Sequence, residues 1–255
     1  MMKTLNKAKY ILVLSVMATV VLAGCQPKQS EPKEQTEQQV TTHQTTASIP
    51  LVQAKVVAVN LKNAKVCVDD GCTQYSFQTV QTNQAWIDDY FLSRIKKAEP
   101  NAFMEASDQQ LQTSTDTALS ESRIEVRFLG QNYNLASFVI KSYVYSAGVA
   151  HGMYHQEFVN FDLTDQKHIT VDDLVPSNKT QEVQDALYAA NQNWLQTHHV
   201  EQSQFKLSDN YYYGVNGIVF VYPLYELASY AEGMSELTLP YEVAQQLLNV
   251  KYLPQ

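Results

Sequence analysis

Few residues in this 255-residue chain have types and spacings that could do chemistry. His151 and His155, in His-Gly-Met-Tyr-His, have the spacing that on a helix would aim two imidazoles at one metal ion. Gly152 and the apolar alternation around them predict a turn between strands instead, where residues four apart need not converge. His151 is then expected to hydrogen-bond the turn backbone, with His155 in a strand, so no metal site is expected. Asp69-Asp70 and Asp172-Asp173 are adjacent carboxylates. Pairs of that kind at turns and helix starts do capping work and are not a glycoside-hydrolysis pair. No G-x-S-x-G elbow, phosphate-binding loop or H-E-x-x-H motif occurs. The sequence therefore predicts no catalytic residue and no cofactor, and a protein that is not an enzyme.

The third reactive residue type is cysteine, at positions 25, 67 and 72. Lys3, Lys7 and Lys9 precede the apolar run Tyr10 to Ala23, which closes on Leu22-Ala23-Gly24-Cys25. A basic start and a short apolar stretch make a secretory signal, because the run falls short of the roughly 20 residues of a comfortable membrane span. The four closing residues resemble the lipobox of bacterial lipoproteins. That resemblance implies cleavage after Gly24 and a lipidated Cys25 holding the protein on a membrane. Gln26, where Asp would signal retention, implies the outer membrane of a Gram-negative cell, facing the periplasm. Export makes a disulfide the expected state of Cys67 and Cys72, and zinc would need two further ligands that are not near. A four-residue loop would set these two directly across a hairpin, whereas a two-residue Asp70-Gly71 turn would make them diagonal.

Residues 25–50 are rich in Gln, Thr and Glu and lack aromatic residues, so a disordered tether is expected. Removing residues 1–24 takes three of the 18 basic residues and none of the 26 acidic ones, leaving 15 against 26, a net charge of −11. With no basic cluster, nucleic acid is excluded as a partner, and an acidic surface favours a cationic one.

The elements that must position these residues follow from periodicity. Strands are expected at 51–60, 65–68 and 73–79, and then a helix capped by Asn83 with Ile87, Phe91 and Ile95 on one face. Residues 106–120 read as a loop. Further strands are expected around Ile124–Phe128, from Leu135 to Tyr145, and around Val159–Leu163. Thr170 and Asp173 make a capping-box start for a short helix. Val183, Leu187, Ala190 and Trp194 form one stripe of a continuous helix. Ile218–Tyr222, apolar on both faces, reads as a central strand. Leu237 and Leu239 mark the last strand, and Val243, Leu247 and Val250 line a terminal helix. The class is α+β: a mainly antiparallel sheet with a few packed helices, after a signal peptide and tether.

From Tyr143 onward the chain resembles the RsiV-type extracellular domain. That domain occurs on lysozyme-sensing anti-sigma factors and beside the catalytic domain of some peptidoglycan deacetylases. The resemblance rests on Ala150-His151-Gly152, on Asn160-Phe161-Asp162-Leu163, and on Lys167, Ile169, Thr170, Asp173 and Leu174. It continues in Gly217 to Tyr222, in Pro223-Leu224-Tyr225-Glu226-Leu227-Ala228-Ser229-Tyr230-Ala231-Glu232-Gly233, and in Leu237 to Tyr241. Two places depart: paired glycines are usual in the turn, and Leu224 is inserted between Pro223 and Tyr225. The organisation expected is a signal peptide (1–24), lipidated Cys25 with its linker (25–50), an N-terminal α+β half (51–142) and an RsiV-type C-terminal half (143–255). The resemblance implies a lipid-anchored envelope protein that binds a lysozyme-like muramidase or peptidoglycan. Other readings are a structural envelope lipoprotein or a metal-dependent peptidoglycan hydrolase or deacetylase. Eight tyrosines crowd the last quarter, and tyrosine suits interfaces because a rigid ring carries a polar tip. Pro223, Tyr225 and Tyr230 are the candidate contact residues, and Gly148, His151 and Gly152 the turn that shapes the fold beside them.

Overall fold

The alternation of Ile124, Val126 and Phe128 with Arg123, Glu125 and Arg127 dictates a strand with one buried face, and the architecture is built around it. A computed structural model describes residues 48–68, 71–105 and 119–255. Cys25, nearly all of the expected tether, Asp69-Asp70 and most of the expected 106–120 loop lie outside them.

Seven strands form the large sheet: β1 (Ala54–Ala58), β2 (Lys65–Val68), β3 (Gly71–Thr82), β4 (Leu119–Asn132), β5 (Leu135–Tyr145), β6 (Met153–Asp162) and β7 (Lys167–Ile169). The order is β1-β3-β4-β5-β6-β7, with β2 also on β3. Every pairing is antiparallel except that of β3 with β4. Helix α1 (Ala85–Ala98) lies between those two in the chain and buries Ile87, Phe91 and Ile95, the face its spacing requires. The Phe91 ring sits 5.1 Å from Phe138 and 5.8 Å from Phe161, and Trp86 meets Phe161 edge-on at 5.0 Å. Each such ring contributes about 3 kcal/mol by the usual cost of removing it from a core.

Asn83 does not cap α1. Its carboxamide accepts from Gln53 N–H and donates to the Leu51 carbonyl, fastening the entry to β1, while Asp88 accepts from Thr82 N–H and hydroxyl.

A second sheet orders β10 (Ser235–Pro240), β9 (Gly217–Tyr222) and β8 (Tyr211–Tyr213). All six residues of β9 are buried, as expected of a central strand. Its core is shared with α2 (Val171–Leu174), α3 (Thr180–Ala190), α4 (Gln192–Thr197) and α5 (Tyr241–Leu247). At α2, Asp173 reaches back to the Thr170 N–H as the capping pattern predicts.

Two helical expectations fail. The stripe from Val183 to Trp194 is broken at Asn191, whose carboxamide bonds the Leu187 carbonyl and both backbone groups of Thr238 in β10. At the C-terminus Val243 and Leu247 do pack, half-buried, against a core that buries Ala244, Leu248, Tyr252 and Leu253, but α5 stops at Leu247 and Val250 is left exposed.

The two cores form within one compact unit, Ala47–Gln255. Asn160 joins the sheets, accepting from the Ser137 hydroxyl (2.7 Å) and donating to the Tyr211 carbonyl (3.0 Å). Asp162, fully buried, accepts from the Asn134 carboxamide and from Thr164 and Asp165 N–H groups, with Lys251 at 3.3 Å. Burial pushes its carboxyl up, but those donors prevail and hold it below the usual range. Both polar residues of the Asn-Phe-Asp motif therefore hold the fold. Among the described residues no helix is long and apolar enough to cross a membrane.

Candidate functional site

Residues 146–152 turn the chain from β5 to β6, with Gly148 in the left-handed region at φ 86°. Gly152 has another task. A Cβ there would lie 2.4–2.5 Å from the outer ring atoms of Tyr143, the cross-strand neighbour of Tyr154. The missing side chain is the space in which the Tyr143 ring lies. The Gly152 carbonyl accepts from the Tyr230 hydroxyl (3.0 Å) and from Nδ1 of His151 (3.1 Å).

Tyr230 comes from the connection after β9, the segment Pro223 to Gly233. Glu226 N–H closes a turn on the Pro223 carbonyl (3.2 Å), the inserted Leu224 is buried, and Tyr225 is forced to φ 69°. A left-handed tyrosine is uncommon, and here it throws the ring outward, 56% exposed. Gly233, at φ 84°, ends the segment, and a Cβ there would meet the Tyr154 hydroxyl at 2.8 Å. Each glycine thus seats a tyrosine.

Turn and connection meet as one aromatic cluster. The His151 ring lies 4.2 Å from Tyr230, Tyr225 lies 5.6 Å from Tyr230 with the planes tilted by 31°, and Tyr154 meets Tyr230 at 6.2 Å. Tyr225, Tyr230, His151 and Gly152 are therefore neighbours, Pro223 opens the turn that presents Tyr225, and Gly148 shapes the turn that delivers His151. His155 sits in β6 away from this stack, and the described residues contain no group of three metal-ligating side chains.

Most other tyrosines of the last quarter are structural. The hydroxyls of Tyr211, Tyr222 and Tyr241 donate to the carbonyls of Ile169, Lys206 and Gly214, and that of Tyr212 to Glu236.

Three further features were not anticipated. Glu232 accepts from Nε2 of His198 (2.6 Å) and from the Ser229 hydroxyl, pinning the connection to α4. Nδ1 of His198 faces the Trp194 carbonyl (2.8 Å), so both ring nitrogens point at acceptors, an arrangement that favours the protonated imidazole. The Trp194 carbonyl and then Glu232 raise its pKa above the ordinary value. Along β6, Asn210 accepts from Phe158 N–H and donates to the Gln156 carbonyl, and Met234 sulfur accepts from Gln156 N–H. The third is a cleft of about 860 Å³ beside the connection, with Pro223 and Glu226 on its lip and Asp172, Lys206 and Asp209 in its wall. Its Arg94 is committed to both oxygens of Glu157 (2.6 and 2.9 Å). Asp209 and Glu226 pair with no cation among the described residues, and burial followed by Asp209 pushes the Glu226 carboxyl up.

Residues 162–242 match DUF3298, a family described as a protein of unknown function. The DUF3298 match takes in the whole tyrosine-bearing connection and stops short of the 146–152 turn. Two solved structures share the fold. A DUF3298 family protein from Pseudomonas aeruginosa PAO1 superposes with a TM-score of 0.60 at 19% identity, covering 81% of this chain and 98% of that one. A member from Bacteroides fragilis NCTC 9343 gives 0.59 at 19%, with 79% and 95% covered. At this identity the likeness is one of fold. No curated protein sequence matches the chain.

Proposed function

We propose that this protein is a binding module of the cell envelope, held at the outer membrane by a lipidated Cys25, that captures a basic protein of the lysozyme-like muramidase kind. The observation that carries the reading is Tyr225, the exposed tyrosine of the connection, presented in a left-handed backbone and backed by the clamped Tyr230 ring. A rigid ring at the centre of a contact loses little freedom on binding, which is why tyrosines dominate such surfaces. The adjoining cleft, with Glu226 on its lip and Asp209 in its wall, suits the cationic side chains of a basic partner. The RsiV-type resemblance supplies the muramidase class, and the net charge of −11 after removal of the leader agrees with it. No reaction step is assigned to any residue.

The test is surface-immobilised full-length protein with hen-type lysozyme as analyte and cytochrome c as an equally basic control. Tyr225→Ala is expected to weaken lysozyme binding by about 1 kcal/mol or more, mainly through faster dissociation, and to leave cytochrome c unaffected. Equal binding of both proteins, unchanged in Tyr225→Ala, would leave the structural-envelope reading in its place.

A further inference from the structure

The side of the large sheet away from α1 is only half covered. Near Val139 and Phe158 the second sheet closes over it, with Tyr212 at 4.5 Å from Phe158. Above that, two cross-strand rows stay open. In one, Arg123, Tyr143 and Tyr154 stand side by side on β4, β5 and β6, and in the other Gln78, Glu125, Lys141 and Gln156 do so across β3 to β6. These residues line a shallow groove of about 390 Å³, within the range that takes a small ligand.

The groove differs from the rest of the protein in charge. The whole chain carries −8, yet this face sets Arg123, Arg127 and Lys141 against only Glu121 and Glu125. Arg123 pairs with Glu121 and Arg127 with Glu125, and among the described residues Lys141 pairs with no carboxylate. The Arg123 guanidinium also lies 5.9 Å from the Tyr143 ring centroid. Both rings are fixed, Tyr143 against Gly152 and Tyr154 against Gly233. Neighbouring strands stand about 4.8 Å apart, so aromatic, amide and ammonium groups recur at that step across the strands.

We propose that this open face binds a linear polysaccharide bearing carboxylates, laid across the strands. Tyr143 and Tyr154 supply surfaces for the apolar faces of pyranose rings. Gln78 and Gln156 donate to and accept from ring hydroxyls and acetamides, and Lys141 takes a carboxylate. The face touches the aromatic cluster only through Tyr154, which meets Tyr230. Lys141 belongs to this face alone and Tyr225 to the other surface alone, so variants at those two positions test the two readings separately.

The experiment uses full-length protein in detergent, titrated with peptide-free strands of alternating N-acetylglucosamine and N-acetylmuramic acid. The N-acetylglucosamine oligomer of equal length, which lacks carboxylates, is the comparison. The carboxylated strand is expected to bind at least tenfold tighter. Lys141→Glu should abolish that preference, Lys141→Arg should keep it, and Tyr225→Ala should not change it. Lys141 is exposed, so these variants fold whatever the outcome for Tyr154→Ala, which should weaken both glycans. Equal affinity for the two glycans, or a preference that survives Lys141→Glu, overturns the proposal. So does equally tight binding of vesicles containing phosphatidylglycerol or of double-stranded DNA, since either would reduce the face to an unspecific positive patch.

Discussion

Replacing Gly152 with Ala measures whether the absent side chain, and not backbone freedom, is what the turn requires. The new methyl would stand 2.4–2.5 Å from three outer atoms of the Tyr143 ring, about 1 Å inside contact distance. Relief by tilting that ring carries the usual penalty of overpacking, roughly 1–3 kcal/mol. Against it works a gain of about 0.4–1 kcal/mol, because φ of Gly152 lies outside the left-handed region and alanine restricts the unfolded chain. The net loss in the wild-type background is therefore about 0.5–2 kcal/mol. In a Tyr143→Ala background the obstacle is gone, and the same substitution should stabilise by about 0.4–1 kcal/mol. Urea unfolding of the four proteins of the cycle, followed by circular dichroism, reads this as a reversal of sign with a coupling of about 1–3 kcal/mol. For a unit of this size each kcal/mol shifts the melting temperature by about 2–4 °C, which thermal scans resolve. Equal destabilisation by Gly152→Ala in both backgrounds would refute the packing argument.

Asp162→Ala should destabilise by at least about 2 kcal/mol, since Asn134 and two backbone N–H groups lose their acceptor in a closed interior. Because the carboxyl of Asp162 is held below its ordinary 3.8, its contribution is present above that value and is lost as the pH falls through the lower folded value. Acid unfolding of wild type against Asp162→Asn checks both. The tie between His198 and Glu232 has the opposite sign. A pKa raised above 6.5 gives stability fully present below 6.5 and lost as the pH rises through the higher folded value. Amide exchange in residues 224–233 should then quicken over that window, and His198→Gln should remove the pH dependence. Cys67 and Cys72 are joined directly across β2 and β3, but Val68 faces Gly71, so the ladder runs one pair beyond the four-residue loop and the expected Asp70-Gly71 turn with diagonal cysteines does not occur. With so short a loop, reduction should cost only about 2 kcal/mol, seen as a modest fall in the urea midpoint.

The longer strands were legible because burial imposed clean patterns on them, whereas the three-residue strands β7 and β8 are too short to show a period and were not expected. β4 alternates since α1 covers one face alone, and β9 is apolar throughout since both faces are closed. Asn191 was not legible, because the apolar period runs on through it and only the distant Thr238 backbone explains the break. The site was visible in pieces. Pro223, Tyr225 and Tyr230 stood out by composition, and Gly148, His151 and Gly152 as a turn. Their meeting was hidden, because Tyr230 and Gly152 touch across 78 residues and no local spacing reports such a contact. The open sheet face was hidden for a related reason: its rows exist only once four strands are in register.

The outer edge of β6 bears on how copies of this protein can live close together. A strand whose backbone groups face outward is a template on which another chain can build. Here β7 covers only the last residues of that edge, Asn160 to Asp162. Its middle is stoppered by side chains: the Asn210 carboxamide imitates a neighbouring strand at Gln156 and Phe158 and Met234 takes the Gln156 N–H, while just before the strand Tyr230 takes the Gly152 carbonyl. All three stoppers arrive from the segment after α4, so during synthesis β6 is completed some fifty residues before its guard exists. With these pairing groups spent within the chain, this part of the edge offers a second copy no ladder to build on.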